Sequence, residues 1–126
     1  MNKAKLIIPA IALVLLAFAL SSCKLPEERT AQECMDQFAD AVNSGDFDAI
    51  NDCLHPSADD SSTSNAVFWE TYFGPETGSG DFSADVSGTM GTAYWDGFTY
   101  TFLLKEEDTD YFSIYEVRKN GEVFFN

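Results

Sequence analysis

The side chains best suited to chemistry in this sequence are three cysteines and a single histidine. Cys53 lies two residues before His55, and together with Cys34 these residues could supply three zinc ligands and leave one position open, as in some catalytic zinc sites. The two thiols could instead form a disulfide. His55 could bind the last carbonyls of a helix, or act as a general base with Asp59 or Asp60, although nothing marks a nucleophile. Whether the two thiols form a disulfide or bind zinc depends on whether the protein resides in an oxidising compartment.

The first 22 residues have the features of an export signal. Two lysines precede an apolar run over residues 6–20, and its fifteen residues fall short of the roughly 20 that a transmembrane helix needs. The run ends in the motif Leu-Ser-Ser-Cys at Cys23, which resembles the lipobox of bacterial lipoproteins. The resemblance implies cleavage before Cys23, fatty acids such as palmitate on the new N-terminus, and a membrane-anchored mature chain. The residue directly after the lipidated cysteine is Lys24. An aspartate at this position would retain the protein at the inner membrane, so the lysine favours the outer membrane.

Because the predicted lipid occupies the Cys23 thiol, Cys34 and Cys53 remain as a pair in a compartment that oxidises thiols. Disulfides persist in such compartments, so the sequence favours a bridge between Cys34 and Cys53 over a metal site, and no cofactor is expected. In an antiparallel helical hairpin the two residues would lie within a turn of each other, so the thiols could meet.

The charge of the chain restricts its partners. The whole sequence carries −14, and the mature part keeps 5 basic against 21 acidic residues, a balance of −16. This charge argues against nucleic acid as a partner, and it should repel anionic lipid headgroups, so the domain should stand away from the bilayer surface.

The mature chain divides into a short tether over residues 23–29 and one domain over residues 30–126. Thr30 and Glu33 have the spacing of a capping box, and Asn43-Ser44-Gly45 ends the helix that they begin. The apolar residues at helical spacing predict its buried face, which comprises Ala31, Cys34, Met35, Phe38, Ala41 and Val42.

Two shorter helices are predicted next. Asp46 should cap the second helix, which Pro56 interrupts, and Ser64 or Asn65 should cap the third, which ends at Gly74.

The remainder predicts antiparallel strands. Alternation from residue 82 to 90 predicts a strand that bulges or bends at Gly88 and Gly91 and continues to Trp95, followed by a tight hairpin turn at Asp96-Gly97. Further strands are predicted at 111–118 and 123–125, the latter after the turn at Asn120-Gly121. The acidic turn at 106–110 lacks the ligand order of a calcium loop and is interpreted as a hairpin tip. Pairing outward from Asp96-Gly97 sets Trp95 opposite Phe98, Ala93 opposite Tyr100 and Gly91 opposite Phe102, with Leu104 on the same apolar face.

Residues 38–56 and 115–122 carry a family resemblance. The first stretch, FADAVNSGDFDAI running into Leu54-His55-Pro56, resembles the opening helices of nuclear-transport-factor-two-like proteins, and the second resembles their final hairpin. The resemblance implies an α+β fold, with N-terminal helices packed on a bent antiparallel sheet in the cystatin-like cone shared with SnoaL-like domains. In that superfamily the cone often encloses a pocket, which is an active site in some members and a binding surface in others. No acid–base pair of the SnoaL-like enzymes can be matched residue by residue.

These observations predict a non-catalytic binding module, lipid-anchored in the bacterial cell envelope, for a small apolar ligand or a protein partner. A SnoaL-like small-molecule enzyme and a protein-interaction or inhibitory lipoprotein are the alternatives. The residues predicted to contact a ligand or partner are His55, Tyr94, Trp95 and Tyr100.

Overall fold

The computed structural model describes residues 28–74 and 80–126, so the predicted signal and Cys23 lie outside the described residues. Its helical part comprises α1 (Ala31–Ser44), a first 3₁₀ helix (Phe47–Cys53), a second 3₁₀ helix (Asp59–Ser62) and α2 (Ala66–Phe73). The strands are β1 (Asp85–Ser87), β2 (Met90–Trp95), β3 (Phe98–Asp108), β4 (Tyr111–Lys119) and β5 (Glu122–Phe125). They form one antiparallel sheet in chain order, so the predicted α+β class, with helices before the sheet, is confirmed. No helix within 28–74 and 80–126 has the length and hydropathy needed to cross a membrane.

The first helix forms as predicted because local signals fix both of its ends. The Glu33 N–H donates to Thr30 Oγ1 at 3.0 Å, and the Thr30 N–H donates to Glu33 Oε1 at 3.1 Å, which completes the capping box. Gly45, at φ 73°, ends α1 in the left-handed conformation that glycine adopts without strain. All six residues of the predicted apolar face are buried.

The second predicted helix is a 3₁₀ helix, and Asp46 does not cap it with its side chain. The Asp46 N–H donates instead to Ala41 O at 2.9 Å, so this residue closes the end of α1. Leu54 then leaves the helix in extended conformation and forms a parallel bridge with Ile114 of β4. The 3₁₀ segment is thus fixed at its start by the C-terminal hydrogen bonds of α1 and at its end by the bridge to β4. For α2, the predicted cap is confirmed at Asn65, whose Oδ1 accepts from the Phe68 N–H at 3.0 Å.

The strand predicted over residues 82–95 is in fact a hairpin. Gly88 has φ 63° and turns the chain between β1 and β2, which pair with each other. The residues just before β1 are held by amide side chains of α1 rather than by a strand. Asn43 Nδ2 donates to Phe82 O at 2.9 Å and Asn43 Oδ1 accepts from Phe82 N at 2.6 Å. Gln32 similarly donates to Ala84 O at 3.1 Å and accepts from Val86 N at 3.1 Å.

The β2–β3 hairpin has the predicted register, with Trp95 opposite Phe98, Ala93 opposite Tyr100 and Gly91 opposite Phe102. Both predicted tight turns form. Their central residues have positive φ, and these residues are Asp96, Gly97, Asn120 and Gly121.

A register shift between β3 and β4 lies at Leu103 and Leu104. Leu103 pairs with Glu116 and Leu104 pairs with Ile114, so Tyr115 is the extra residue of β4. Ser113 and Ile114 pair regularly and are both buried, and the Ser113 hydroxyl accepts from the Arg29 guanidinium at 2.8 Å.

The core between the helices and the sheet is built mainly from aromatic rings. Phe38 of α1 lies at its centre, with its ring centroid 5.1 to 5.8 Å from those of four other buried aromatic residues. These four are Trp69, Phe73, Phe82 and Phe102. Edge-to-face geometry predominates among these contacts, as expected for a close-packed aromatic core.

Candidate functional site

Three of the four predicted contact residues are buried. His55, Trp95 and Tyr100 lie in the interior, whereas the Tyr94 side chain is 81% exposed on the outer face of β2. The Trp95 indole donates to Gly80 O at 3.1 Å, so its polar atom is also engaged inside the fold. A partner could therefore reach Tyr94 without rearrangement, but not the other three.

His55 has a structural role in the part of the chain described here. Its Nδ1 accepts from the Ser57 N–H at 3.0 Å, and its Nε2 lies 3.0 Å from Glu106 O. Since Nδ1 is an acceptor, the network assigns the proton to Nε2, which then donates to the carbonyl. With both ring nitrogens bound to backbone, neither offers a lone pair to a metal or to a substrate proton.

The carboxylates proposed as partners of His55 have other surroundings. Asp60 exchanges two hydrogen bonds with the C-terminal residue: its N–H donates to Asn126 O at 2.7 Å, and its Oδ2 accepts from Asn126 N at 3.1 Å. Asp59 begins the second 3₁₀ helix. Among the residues described, no group of three or more His, Cys, Asp or Glu side chains has an arrangement that could hold a metal ion.

Cys34 and Cys53 lie together between α1 and the first 3₁₀ helix, as the helical hairpin predicted. Both are free thiols in this structure, with exposures of 0% and 1%, and Cys34 Sγ donates to Cys53 O at 3.6 Å. A hydrogen bond between the two thiol side chains lowers the pKa of Cys34, and the nearby Arg29 acts in the same direction. The same hydrogen bond raises the pKa of Cys53, and burial raises it further. The disulfide stays a prediction, and the fold brings the two residues into contact.

Arg29 occupies a socket that the sequence did not reveal, since composition assigned it to the tether. It is 3% exposed, and its guanidinium donates four hydrogen bonds of 2.8 to 2.9 Å. The acceptors are Phe112 O, Gln37 Oε1, Asp52 O and Ser113 Oγ. The one available signal was its position directly before the capping Thr30, where an entering chain commonly contacts the fold.

The backbone of Arg29 also forms hydrogen bonds, and its guanidinium contacts an aromatic ring. Its N–H donates to Asp110 O and its carbonyl accepts from the Phe112 N–H, both at 2.9 Å, so the residue pairs with the start of β4. The Tyr111 ring lies 4.3 Å from the guanidinium carbon. Ser113 donates in turn to Glu107 Oε2 at 2.7 Å, which links the buried cation to a surface carboxylate. Arg29 thus joins the N-terminal segment to α1, the first 3₁₀ helix and β4.

A groove of about 940 Å³ runs along α1 and the first 3₁₀ helix, on the side where the chain enters the domain. Among the residues that the structure describes, Arg29 is the only basic residue lining the groove, and its donors point into the fold. Among the described residues, no carboxylate of the groove has an ion-pair partner. The groove carboxylates are those of Glu28, Glu33, Asp40, Asp46, Asp52 and Glu107.

Comparison with known proteins finds no matching family model, no matching curated protein and no matching solved structure.

Proposed function

We propose that this chain is a lipid-anchored protein of the bacterial cell envelope whose cone-like domain binds a protein partner at its surface and does no chemistry. The observation that carries the proposal is the packing of the interior among the described residues, where contacting aromatic rings centred on Phe38 occupy the space between helices and sheet. A ligand-binding cone would need an apolar cavity of roughly 300 Å³ or more. The described grooves are open to the surface instead.

Charge indicates the chemistry of the partner. The chain carries −14, and the groove beside α1 gathers six carboxylates without an ion pair among the described residues. A positively charged protein surface would find complementary potential there, which steers association and favours the correct orientation. We therefore propose a basic protein segment as the partner, with the groove as its docking surface.

Lipid attachment at Cys23 is the first test of this proposal. The full chain made in a bacterial host with labelled palmitate should take up the label and fractionate with membranes, whereas the Cys23→Ala variant should lose both properties. The reason is that only the thiol at this position can accept the lipid and provide the acylated N-terminus. The Cys34→Ser variant is the matched control and should keep the label. A Cys23→Ala chain that is still processed and membrane-held would contradict the proposal.

Charge reversal in the groove tests the docking surface. The triple variant Asp40→Lys, Asp46→Lys, Asp52→Lys should bind a decalysine peptide at least about 10-fold more weakly than the parent at low salt. Isothermal titration calorimetry at two salt concentrations gives both the affinity and its screening, which acts over about 10 Å at 0.1 M.

The matched control carries the same charge change elsewhere, at three exposed carboxylates outside the groove: Asp81→Lys, Asp85→Lys and Glu122→Lys. It should lose less than about 3-fold in affinity, because these side chains do not line the groove. Equal losses in the two triple variants would show that net charge alone attracts the peptide, and the groove would have to be abandoned as the site.

A further inference from the structure

Residues 80–87 form a strap that is held mainly by side chains from the rest of the fold. The Trp95 indole donates to Gly80 O at 3.1 Å, and the carboxamides of Asn43 and Gln32 bind the residues that follow. Within the described part of the chain, residues 80–84 form no backbone–backbone hydrogen bond, and the strap joins the sheet only through the three residue pairs of β1 with β2. Most of the strap is therefore extended backbone without a neighbouring strand.

The two carboxamides bind the strap as the peptide groups of a neighbouring strand would. Asn43 donates to Phe82 O at 2.9 Å and accepts from Phe82 N at 2.6 Å, so it satisfies both backbone groups of one residue, as in a hydrogen-bonded antiparallel pair. Gln32 donates to Ala84 O and accepts from Val86 N, both at 3.1 Å. Because these bonds go to backbone atoms, the same carboxamides can bind any extended segment.

The side chains of the strap alternate between the core and solvent. Phe82 is fully buried, and its ring centroid lies 5.5 to 6.3 Å from those of five other aromatic rings. Ala84 is also buried, whereas Asp81 and Asp85 are exposed. The five rings belong to Phe38, Phe73, Trp95, Tyr100 and Phe102. The strap thus occupies a slot that accepts one large ring and, two residues later, one small side chain.

Glycines with positive φ stand at both ends of the strap. Gly80 has φ 99° and Gly88 has φ 63°, which glycine adopts without strain. A segment with few backbone hydrogen bonds is the kind that opens locally, without unfolding of the whole domain. Opening of this strap requires the loss of its side-chain hydrogen bonds and of the short β1–β2 ladder, and the withdrawal of Phe82 from the core.

We propose that residues 80–87 are an autoinhibitory strap, which occupies a docking slot for an extended, basic segment of a protein partner that carries an aromatic residue in place of Phe82. The matching segment has a small residue in place of Ala84. It has basic residues at the outward positions of Asp81 and Asp85, because the chain carries −14 and attracts positive charge. Main-chain hydrogen bonds provide its affinity and the ring pocket provides its specificity, as in strand addition.

The slot is separate from the acidic groove. Gln32, Asn43 and Phe82 do not line the groove, and the slot needs neither the groove carboxylates nor the lipid. The proposal of the strap and that of the groove can therefore fail separately.

The first experiment measures whether the strap opens by itself. Hydrogen exchange of the full chain should show the Phe82 and Val86 amides exchanging at least about 10-fold faster than that of Phe102 in β3, because local opening needs less free energy than global unfolding. Asn43→Ala removes both hydrogen bonds to Phe82 and should accelerate its exchange by about a further 10-fold. The matched control Asn51→Ala, at an exposed asparagine of the first 3₁₀ helix, should not. Equal exchange at Phe82 and Phe102 would overturn the proposal, since the strap would then open only with the whole fold.

The second experiment supplies a segment that matches the slot. The labelled peptide GKFSAKVS has the sequence of the strap with lysines at the two outward positions. Fluorescence anisotropy should show it binding the Phe82→Ala variant at least about 10-fold more tightly than the parent, because in the parent the tethered strap competes at a high effective concentration. Adding Asn43→Ala to Phe82→Ala should weaken this binding by about 10-fold, since the two main-chain hydrogen bonds are lost.

The control peptide GKASAKVS has the same charge but lacks the ring. It should bind Phe82→Ala and the parent equally weakly, so any attraction to the acidic groove is measured separately. Equal binding of the two peptides to Phe82→Ala would overturn the slot. The exchange experiment needs no Phe82 variant, so it decides the proposal even where Phe82→Ala does not fold.

Discussion

The Phe38→Ala variant is expected to lose about 4 kcal/mol of folding free energy, within the range of roughly 3 to 5 for Phe-to-Ala changes in cores. Phe38 of α1 is fully buried and contacts four other aromatic rings, of which two are on α2, one precedes β1 and one is on β3. Truncation therefore removes apolar burial and leaves a cavity that rigid neighbouring rings cannot refill. Urea unfolding monitored by far-ultraviolet circular dichroism measures the loss, which is a large share of the roughly 5 to 15 kcal/mol typical of a domain.

Two control variants test whether the lost stability comes from packing in the core. Tyr94→Ala removes an aromatic ring that is 81% exposed, and should change stability by less than about 0.5 kcal/mol. Phe38→Leu keeps most of the buried volume and should lose markedly less than Phe38→Ala. A loss below about 1.5 kcal/mol for Phe38→Ala would show that the rings are loosely packed, and would contradict the filled interior on which the proposed function depends.

The same variant separates the surface-binding proposal from the alternative of a small apolar ligand. If the interior is filled, benzene should bind to Phe38→Ala, since engineered apolar cavities take up such molecules, and should not bind to the parent domain. Nuclear magnetic resonance shifts of core methyl groups report this directly. Benzene binding to the parent with equal affinity would instead favour the small-ligand alternative.

Local signals predicted α1 and the β2–β3 hairpin because their determinants are close in sequence. The Thr30 and Glu33 capping box and the left-handed Gly45 fix α1 within one segment. The turn at Asp96-Gly97 fixes the register of six residue pairs, since side-chain alternation has a period of two. Neither element needed information from the remainder of the chain.

The elements that the sequence misplaced depend on distant contacts. The alternation over residues 82–90 describes an extended segment equally well whether it pairs with a strand or with amide side chains of α1, as Asn43 pairs with Phe82. The turn at Gly88 then divides this segment from β2. The bulge at Tyr115 of β4 and the burial of Ser113 against Arg29 could not be derived from the period of the strand.

The candidate site was predicted only in part for the same reason. The contact between Cys34 and Cys53 follows from the helical hairpin. The partners of His55 are Ser57 in the following loop and Glu106 in β3, and the second of these lies 51 residues further along the chain. Aromatic content predicted contact residues, but Trp95 and Tyr100 face the core, because they lie on the same side of the sheet as Phe102. The groove depends on how the chain enters the domain, and this is fixed by Arg29.

Arg29→Met is expected to cost about 3 kcal/mol, because it keeps the aliphatic stem and removes all four hydrogen bonds of the buried guanidinium. Two backbone carbonyls, Asp52 O and Phe112 O, lose a buried donor, and each unsatisfied group costs about 1 to 3 kcal/mol. Relief of the desolvation of the charge offsets part of this loss. The Arg29→Lys variant should have a free energy of unfolding between those of the parent and of Arg29→Met, since an ammonium cannot reproduce the planar fork of donors.

The matched control for Arg29→Met is Arg118→Met, at an arginine whose side chain is 46% exposed. Arg118 pairs with Glu116 at 2.9 Å, and exposed ion pairs contribute about 0 to 1 kcal/mol, so this variant should remain close to the parent in urea unfolding. Unfolding at high salt also distinguishes the two arginines, because screening weakens the exposed pair of Arg118 and leaves the buried network of Arg29 nearly unchanged. Equal costs at the two arginines would mean that the socket does not join the N-terminal segment to the fold. The proposed lipid anchor would then be attached to the domain by a free linker, and the proposed docking groove would have no fixed orientation towards the membrane.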